Sequence, residues 1–184
     1  MIRRSGILIA ALLLASEPVY CLVQAYKVEP KTAEQSGWTR GSDASVSQVI
    51  TCNFDSLSHV ELFAGKSNAG GEYRCGVWGD GTELMHSGGV QGRDHNWVRF
   101  GDWSTQARFT KGKQYEFRFT RSGSDSIQYY TRVGTEYPYG FLRTGGQDHN
   151  SLDLACRVYG RMRAVADSVA VLLVAAACMA AAQA

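Results

Sequence analysis

The stretch Gln114 to Thr120, QYEFRFT, sets Tyr115, Phe117 and Phe119 against Glu116, Arg118 and Thr120 in strict alternation. A period of two is the signature of a strand with one buried and one solvated face. The same period returns in Tyr73, Cys75 and Val77 against Arg74, Gly76 and Trp78, and in Leu152, Leu154, Cys156 and Val158 against Asp153, Ala155, Arg157 and Tyr159. A strand buries its apolar face only against another layer, so the pattern predicts an all-β, antiparallel two-sheet β-sandwich. Such a sandwich has no obligatory catalytic centre, which directs the search for function to loops and outward faces.

Further strands are predicted at Val46 to Phe54, His59 to Ala64, Glu83 to Ser87, Trp97 to Phe100 and Ser126 to Arg132. Turn chemistry separates them. Asp80-Gly81 lies between Val77-Trp78 and Leu84-Met85 and predicts a hairpin whose central residues adopt positive φ. Lys111-Gly112-Lys113 and Arg121-Ser122-Gly123-Ser124 bracket the clearest strand. About eight short strands in this length predict a jelly roll. At 184 residues with 45% apolar content, one core is expected rather than two. The expected organisation is a signal peptide over 1–25, a polar lead over 26–45, the jelly roll over 46–161 and an apolar segment over 162–184.

Several body segments together resemble the galactose-binding-like jelly-roll modules of secreted bacterial proteins, a group similar to carbohydrate-binding modules. They are Asp55-Ser56-Leu57-Ser58-His59-Val60-Glu61-Leu62-Phe63-Ala64-Gly65, Trp97-Val98-Arg99-Phe100, Lys111-Gly112-Lys113-Gln114-Tyr115, Thr120-Arg121-Ser122-Gly123, Tyr137-Pro138-Tyr139-Gly140 and Asp153 to Gly160. The resemblance runs from Gln48 to Gly160. It implies export, a jelly roll and a non-catalytic attachment role.

Both ends carry apolar segments expected to be helical. Arg3-Arg4, the apolar run Ile7 to Ala15 and the small-residue pattern Val23-Gln24-Ala25 have the layout of a secretory signal peptide. Glu17-Pro18 interrupts the run, which also admits cleavage near Ala15. Ser168 to Ala184 is uncharged and Ala-rich, and Arg161 and Arg163 precede it. At 1.5 Å per residue it barely spans a bilayer core of about 30 Å, and its basic residues lie on the wrong side for a C-terminal anchor. Two readings stand: a second signal-like segment ending in Ala181-Ala182-Gln183-Ala184, or an apolar helix that contacts a membrane or partner.

Five cysteines divide into Cys21 and Cys178 at the ends and Cys52, Cys75 and Cys156 in the body. Cys52 and Cys156 are the disulfide candidates if the first and last body strands lie side by side in an oxidising compartment. The alternative is three small inward-facing apolar residues. No CxxC pair or Cys/His cluster with zinc spacing occurs. A formal charge of +2 points away from a nucleic-acid partner.

A sugar site needs a flat aromatic face and nearby hydroxyl partners. Trp78, Trp97, Trp103, Tyr130, Tyr137 and Tyr139 are the aromatic candidates, the last two in a loop stiffened by Pro138. The repeated triplets Asp94-His95-Asn96 and Asp148-His149-Asn150 add polar candidates, which would form one cluster if their loops share an end of the sandwich. Asp43, Asp55, Asp125 and Asp153 are available to a structural calcium. The chain has no GxSxG elbow, HExxH, phosphate loop or dinucleotide fingerprint. His95, Tyr130, Arg132 and His149 would serve a small polysaccharide-active enzyme only if they converged. The expected function is a secreted, non-catalytic carbohydrate-binding module. The alternatives are a structural or adhesive module with protein contacts and the small enzyme.

Overall fold

The computed structural model describes residues 20–30, 36–40, 45–65, 71–92, 95–122, 126–133 and 140–163. The expected terminal helices, Asp43, Asp94, Asp125, Tyr137, Tyr139 and Cys178 lie outside these residues. The described residues from Leu22 to Met162 belong to one compact unit.

Fourteen strands form among the described residues: β1 (Tyr20–Lys27), β2 (Ser36–Arg40), β3 (Ser45–Thr51), β4 (Ser56–Ala64), β5 (Glu72–Gly79), β6 (Thr82–His86), β7 (Val90–Gln91), β8 (Asn96–Phe100), β9 (Gln114–Arg121), β10 (Ser126–Val133), β11 (Phe141–Thr144), β12 (Gln147–His149), β13 (Leu152–Leu154) and β14 (Cys156–Arg163). The first sheet has the order β1-β14-β4-β10-β13, with β8 on β4 and β2 on β10. The second has the order β12-β11-β3-β9-β5-β6, with β7 on β5. The all-β, two-sheet expectation holds, and the count of about eight was too low. The run Leu152 to Tyr159 is two strands, because Ala155 breaks it: β13 pairs with β10, whereas β14 pairs with β4. β1 and β2 fall where a signal peptide and a polar lead were expected.

β9 is the centre of the second sheet, flanked by β3 and β5. Its alternation is realised directly: Phe117 and Phe119 are fully buried, and Tyr115 nearly so. Phe119 meets Phe100 of β8 with ring centroids 5.6 Å apart, joining the two sheets. Val46, Cys75 and Val77 from the second sheet and Val60, Leu62 and Val158 from the first complete the middle of the core. Asp80 (φ 52°) and Gly81 (φ 76°) make the expected tight turn between β5 and β6.

β3 and β14 lie in different sheets, so the premise of a Cys52–Cys156 bridge fails. Cys52, Cys75 and Cys156 are buried free thiols. Burial pushes the Cys75 and Cys156 thiols well above their usual range, which keeps them protonated and inert. The Cys52 Sγ donates to the Phe54 carbonyl at 3.2 Å.

Candidate functional site

The predicted site residues separate into three regions. On the outer face of the first sheet, Trp97 of β8 meets Phe63 of β4 edge-on at 5.4 Å, and Phe63 meets Tyr130 of β10 at 5.3 Å. The Tyr130 hydroxyl bonds His95 Nδ1 at 2.8 Å, which ties down a residue held at φ 51°. The face of Trp97 is occupied: the Arg157 guanidinium lies 3.8 Å from its ring centre. Arg157 in turn donates to Glu29 at 2.7 Å and Glu61 at 2.9 Å.

On the outer face of the second sheet, Arg118 covers Trp78 at 4.2 Å. Glu116 lies between Arg118 (3.0 Å) and Arg143 (2.7 Å), and Arg143 also reaches Asp148 at 2.6 Å. Burial alone would raise the Glu116 carboxyl. Hydrogen bonds from Arg118 and Ser47 and the two guanidinium charges hold it below its usual value instead. The described residues of the two Asp-His-Asn triplets engage opposite sheets. His95 engages Tyr130, whereas Asp148 engages Arg143 and His149 bonds the Thr144 hydroxyl at 2.9 Å. They do not form the expected joint cluster. Asn96 Oδ1 accepts from the Trp97 amide at 2.8 Å, and Asn150 is exposed in the turn after β12.

The third region is concave. An open depression of about 660 Å³ lies between the segment after β6 and the segment after β8. Its frame is tightly braced. The Ser87 amide donates to Cys75 O (2.8 Å), the Gly88 amide to Asp102 O (3.0 Å), and the Ser104 amide to His86 O (2.8 Å). The Ser87 and Ser104 hydroxyls accept from the Cys75 and His86 amides at 3.0 and 3.1 Å. Trp103 forms one wall, fixed by its Nε1 donating to Ser58 O at 3.1 Å. Gly88 opens the floor, since a Cβ built there would meet nothing within 4 Å.

What distinguishes the pocket is its unspent polarity. Arg74, Asp102 and Gln106 line it, and among the described residues none of their side chains has a hydrogen bond or ion pair. His86 also lines it, with Nδ1 3.0 Å from Glu83 Oε1. A guanidinium, a carboxylate, an amide and an imidazole beside an indole supply the donors and acceptors that a polyol requires. Sequence reading found Trp103 and missed the polar four. Arg74 and His86 lie on β5 and β6 and Asp102 and Gln106 in the segment after β8, and no local pattern marks them as neighbours.

For metals, no group of three or more His, Cys, Asp or Glu is gathered closely enough to hold an ion among the described residues. Asp55 pairs with Lys111 at 3.4 Å, and Asp153 is buried in the middle of β13. Arg132 lies on β10 and His149 on β12, in different sheets.

His59 of β4 is buried and stacks on Tyr159 at 4.2 Å and 15°. Burial is the main cause that lowers its pKa; the Arg99 and Arg161 charges add to this and Glu61 opposes it. The unfolded chain therefore binds the His59 proton more readily than the folded one. Stability is full above about pH 6.5, the ordinary histidine value, and falls as the pH drops below it. Thermal unfolding at pH 7.5 and 5.5 is expected to differ by a few degrees in the native protein and by less in His59→Phe, which keeps the stack. Equal losses in both would remove His59 as the cause. The carboxylates held low by partners, Glu29, Glu116 and Asp148, act in a lower window, below about pH 4.5.

No protein-family model matches the chain, and no curated protein matches it. Among solved structures, the clostridial cysteine protease Cwp84 after propeptide cleavage is similar, with TM-score 0.47 and 8% identity over 81% of this chain and 42% of that one. A second is the structure of the cysteine protease and lectin-like domains of Cwp84, a surface layer associated protein of Clostridium difficile. Its TM-score is 0.45, with 8% identity over 70% of this chain and 36% of that one. This chain thus spans less than half the length of either. No residue role is carried over from them.

Proposed function

We propose that this chain is a secreted, non-catalytic module of galactose-binding-like jelly-roll type that binds carbohydrate in the pocket walled by Trp103. One observation carries the reading. Arg74, Asp102 and Gln106 are unpartnered where they line a concave, braced cavity, whereas Arg157, Arg118, Glu116 and Arg143 on the two sheet faces are engaged with one another or with nearby acids. Sugars are recognised by unspent donors and acceptors beside an aromatic wall, in a frame that needs no reordering on binding. Calcium, if it acts, does so structurally in loops, and the C-terminal segment is the region offered for membrane contact.

A structural or adhesive role is the second reading. It is favoured by the guanidinium groups lying over Trp78 and Trp97, which spend those rings internally.

A glycan array probed with the full chain, with and without calcium, separates the two. The first reading expects a defined set of bound glycans, and loss of at least about tenfold in affinity for Arg74→Ala/Asp102→Ala, about 1.4 kcal/mol. Thermal unfolding of that variant should be unchanged, because neither side chain supports the fold. A folded protein that binds no glycan would favour the structural reading.

A further inference from the structure

We infer that the outer face of the first sheet, beside the pocket, is a binding surface for an acidic polysaccharide, with Arg99 and Arg161 as its two anchoring cations. β4 runs between β14 and β8, so the outward residues of three strands share this face: Arg157, Tyr159 and Arg161 from β14, His59 and Glu61 from β4, and Trp97 and Arg99 from β8. The acids of the face are already engaged. Glu61 and Glu29 both accept from Arg157, and Glu29 also pairs with Lys27 at 3.1 Å. Arg99 and Arg161 are exposed and have no ion pair or side-chain hydrogen bond among the described residues.

Beside these two cations lie His59 and Tyr159, a cross-strand pair. The His59 and Tyr159 rings stack nearly parallel. Gly101 comes beside His59 and contributes no side chain; a Cβ built there would meet only the His59 Cβ, at 3.9 Å. The charges of Arg99 and Arg161 both add to the burial that lowers the His59 pKa. Two uncompensated cations on one sheet face, opposite Glu61 and Ser56 of β4, suit an extended glycan that carries several anions. Arginine's planar fork matches either a carboxylate or a sulfate.

The occupant is a polymer rather than a lone anion because the surface continues into the pocket. Trp103, the pocket wall, bonds the carbonyl of Ser58, the residue before His59. An extended acidic glycan can therefore touch the pocket and the cationic face together. The surface does not depend on the pocket's own affinity, so each can fail alone.

The test measures binding of the full chain to immobilised dextran sulfate, polygalacturonate, uncharged dextran and single-stranded DNA over a salt series. One or both acidic polysaccharides should bind in preference to dextran and DNA, and the stronger of the two identifies the anion as sulfate or carboxylate. Arg99→Gln/Arg161→Gln should weaken that binding about tenfold and flatten its salt dependence. The control Lys113→Gln/Arg118→Gln removes the same charge on the second sheet, where the two cations pair with Asp80 and Glu116, and should leave the affinity near native. Binding of neutral glycans is read in parallel on the native chain, which keeps failure of this surface distinct from failure of the pocket. Both arginines are exposed and unpaired, so the variant's thermal unfolding should match the native protein. Equal weakening by the control pair, no binding to either acidic polysaccharide at low salt, or preference for DNA would each overturn the proposal.

Discussion

Truncation of Phe119 to Ala is expected to cost about 3–5 kcal/mol, a large share of the roughly 5–15 kcal/mol that holds a domain together. The reason is positional. Phe119 sits on β9, between Val46 of β3 and Cys75 of β5, and is the residue that touches Phe100 of the opposing sheet. Removing its ring leaves a void at the junction of two layers, where the backbone ladders on both sides resist collapse. Urea unfolding should show a lower midpoint with a nearly constant slope. A loss below about 1 kcal/mol would mean that the sheets do not meet there.

Starting the chain at Tyr26, as cleavage after Ala25 would do, is expected to lower the melting temperature by about 10 °C or to prevent folding. Tyr26 is fully buried, its hydroxyl bonds the Leu154 carbonyl at 3.1 Å, and Ala25 is buried beside it. A new ammonium group at that amide would enter the core interior unpaired. The cut would also remove most of β1, whose Gln24 bonds the Tyr159 hydroxyl at 2.9 Å. A chain starting at Tyr20 should unfold like the full one. Equal stability of the Tyr26 form would show that β1 contributes nothing to the sandwich.

The contrast between these predictions reflects what local pattern encodes. β9 was legible because a half-buried strand writes its environment into alternate residues, and Asp80-Gly81 was legible because only certain residues tolerate positive φ at both turn positions. β1 was not, because Val23-Gln24-Ala25 has the same small and apolar character that a processing site has. The hairpin of β11 and β12 turns on Gly145 and Gly146 at φ 55° and 77°. Its strands were missed because Arg143 and Asp148 pair with each other and display charge where alternation would be sought.

The candidate site was less legible than the fold. Trp78 and Trp97 stood out as outward aromatics, yet the arginines that cover them come from other strands, Arg118 of β9 and Arg157 of β14, through pairing that sequence does not announce. The triplets around His95 and His149 matched in sequence and were separated by sheet assignment. Arg74, Asp102 and Gln106 carry the pocket's chemistry and belong to no motif. Their significance lies in lacking partners, which is a property of the folded surroundings.

The most direct test of the pocket uses its own wall. The chain has four tryptophans, so a ¹⁵N spectrum of the full protein should contain four indole signals. Titration with a panel of neutral sugars is expected to shift the Trp103 indole and the Gly88 amide, and to leave the Trp78 and Trp97 indoles in place. No shift with any sugar, or shifts confined to Trp78 or Trp97, would contradict the assignment of the pocket as the carbohydrate site.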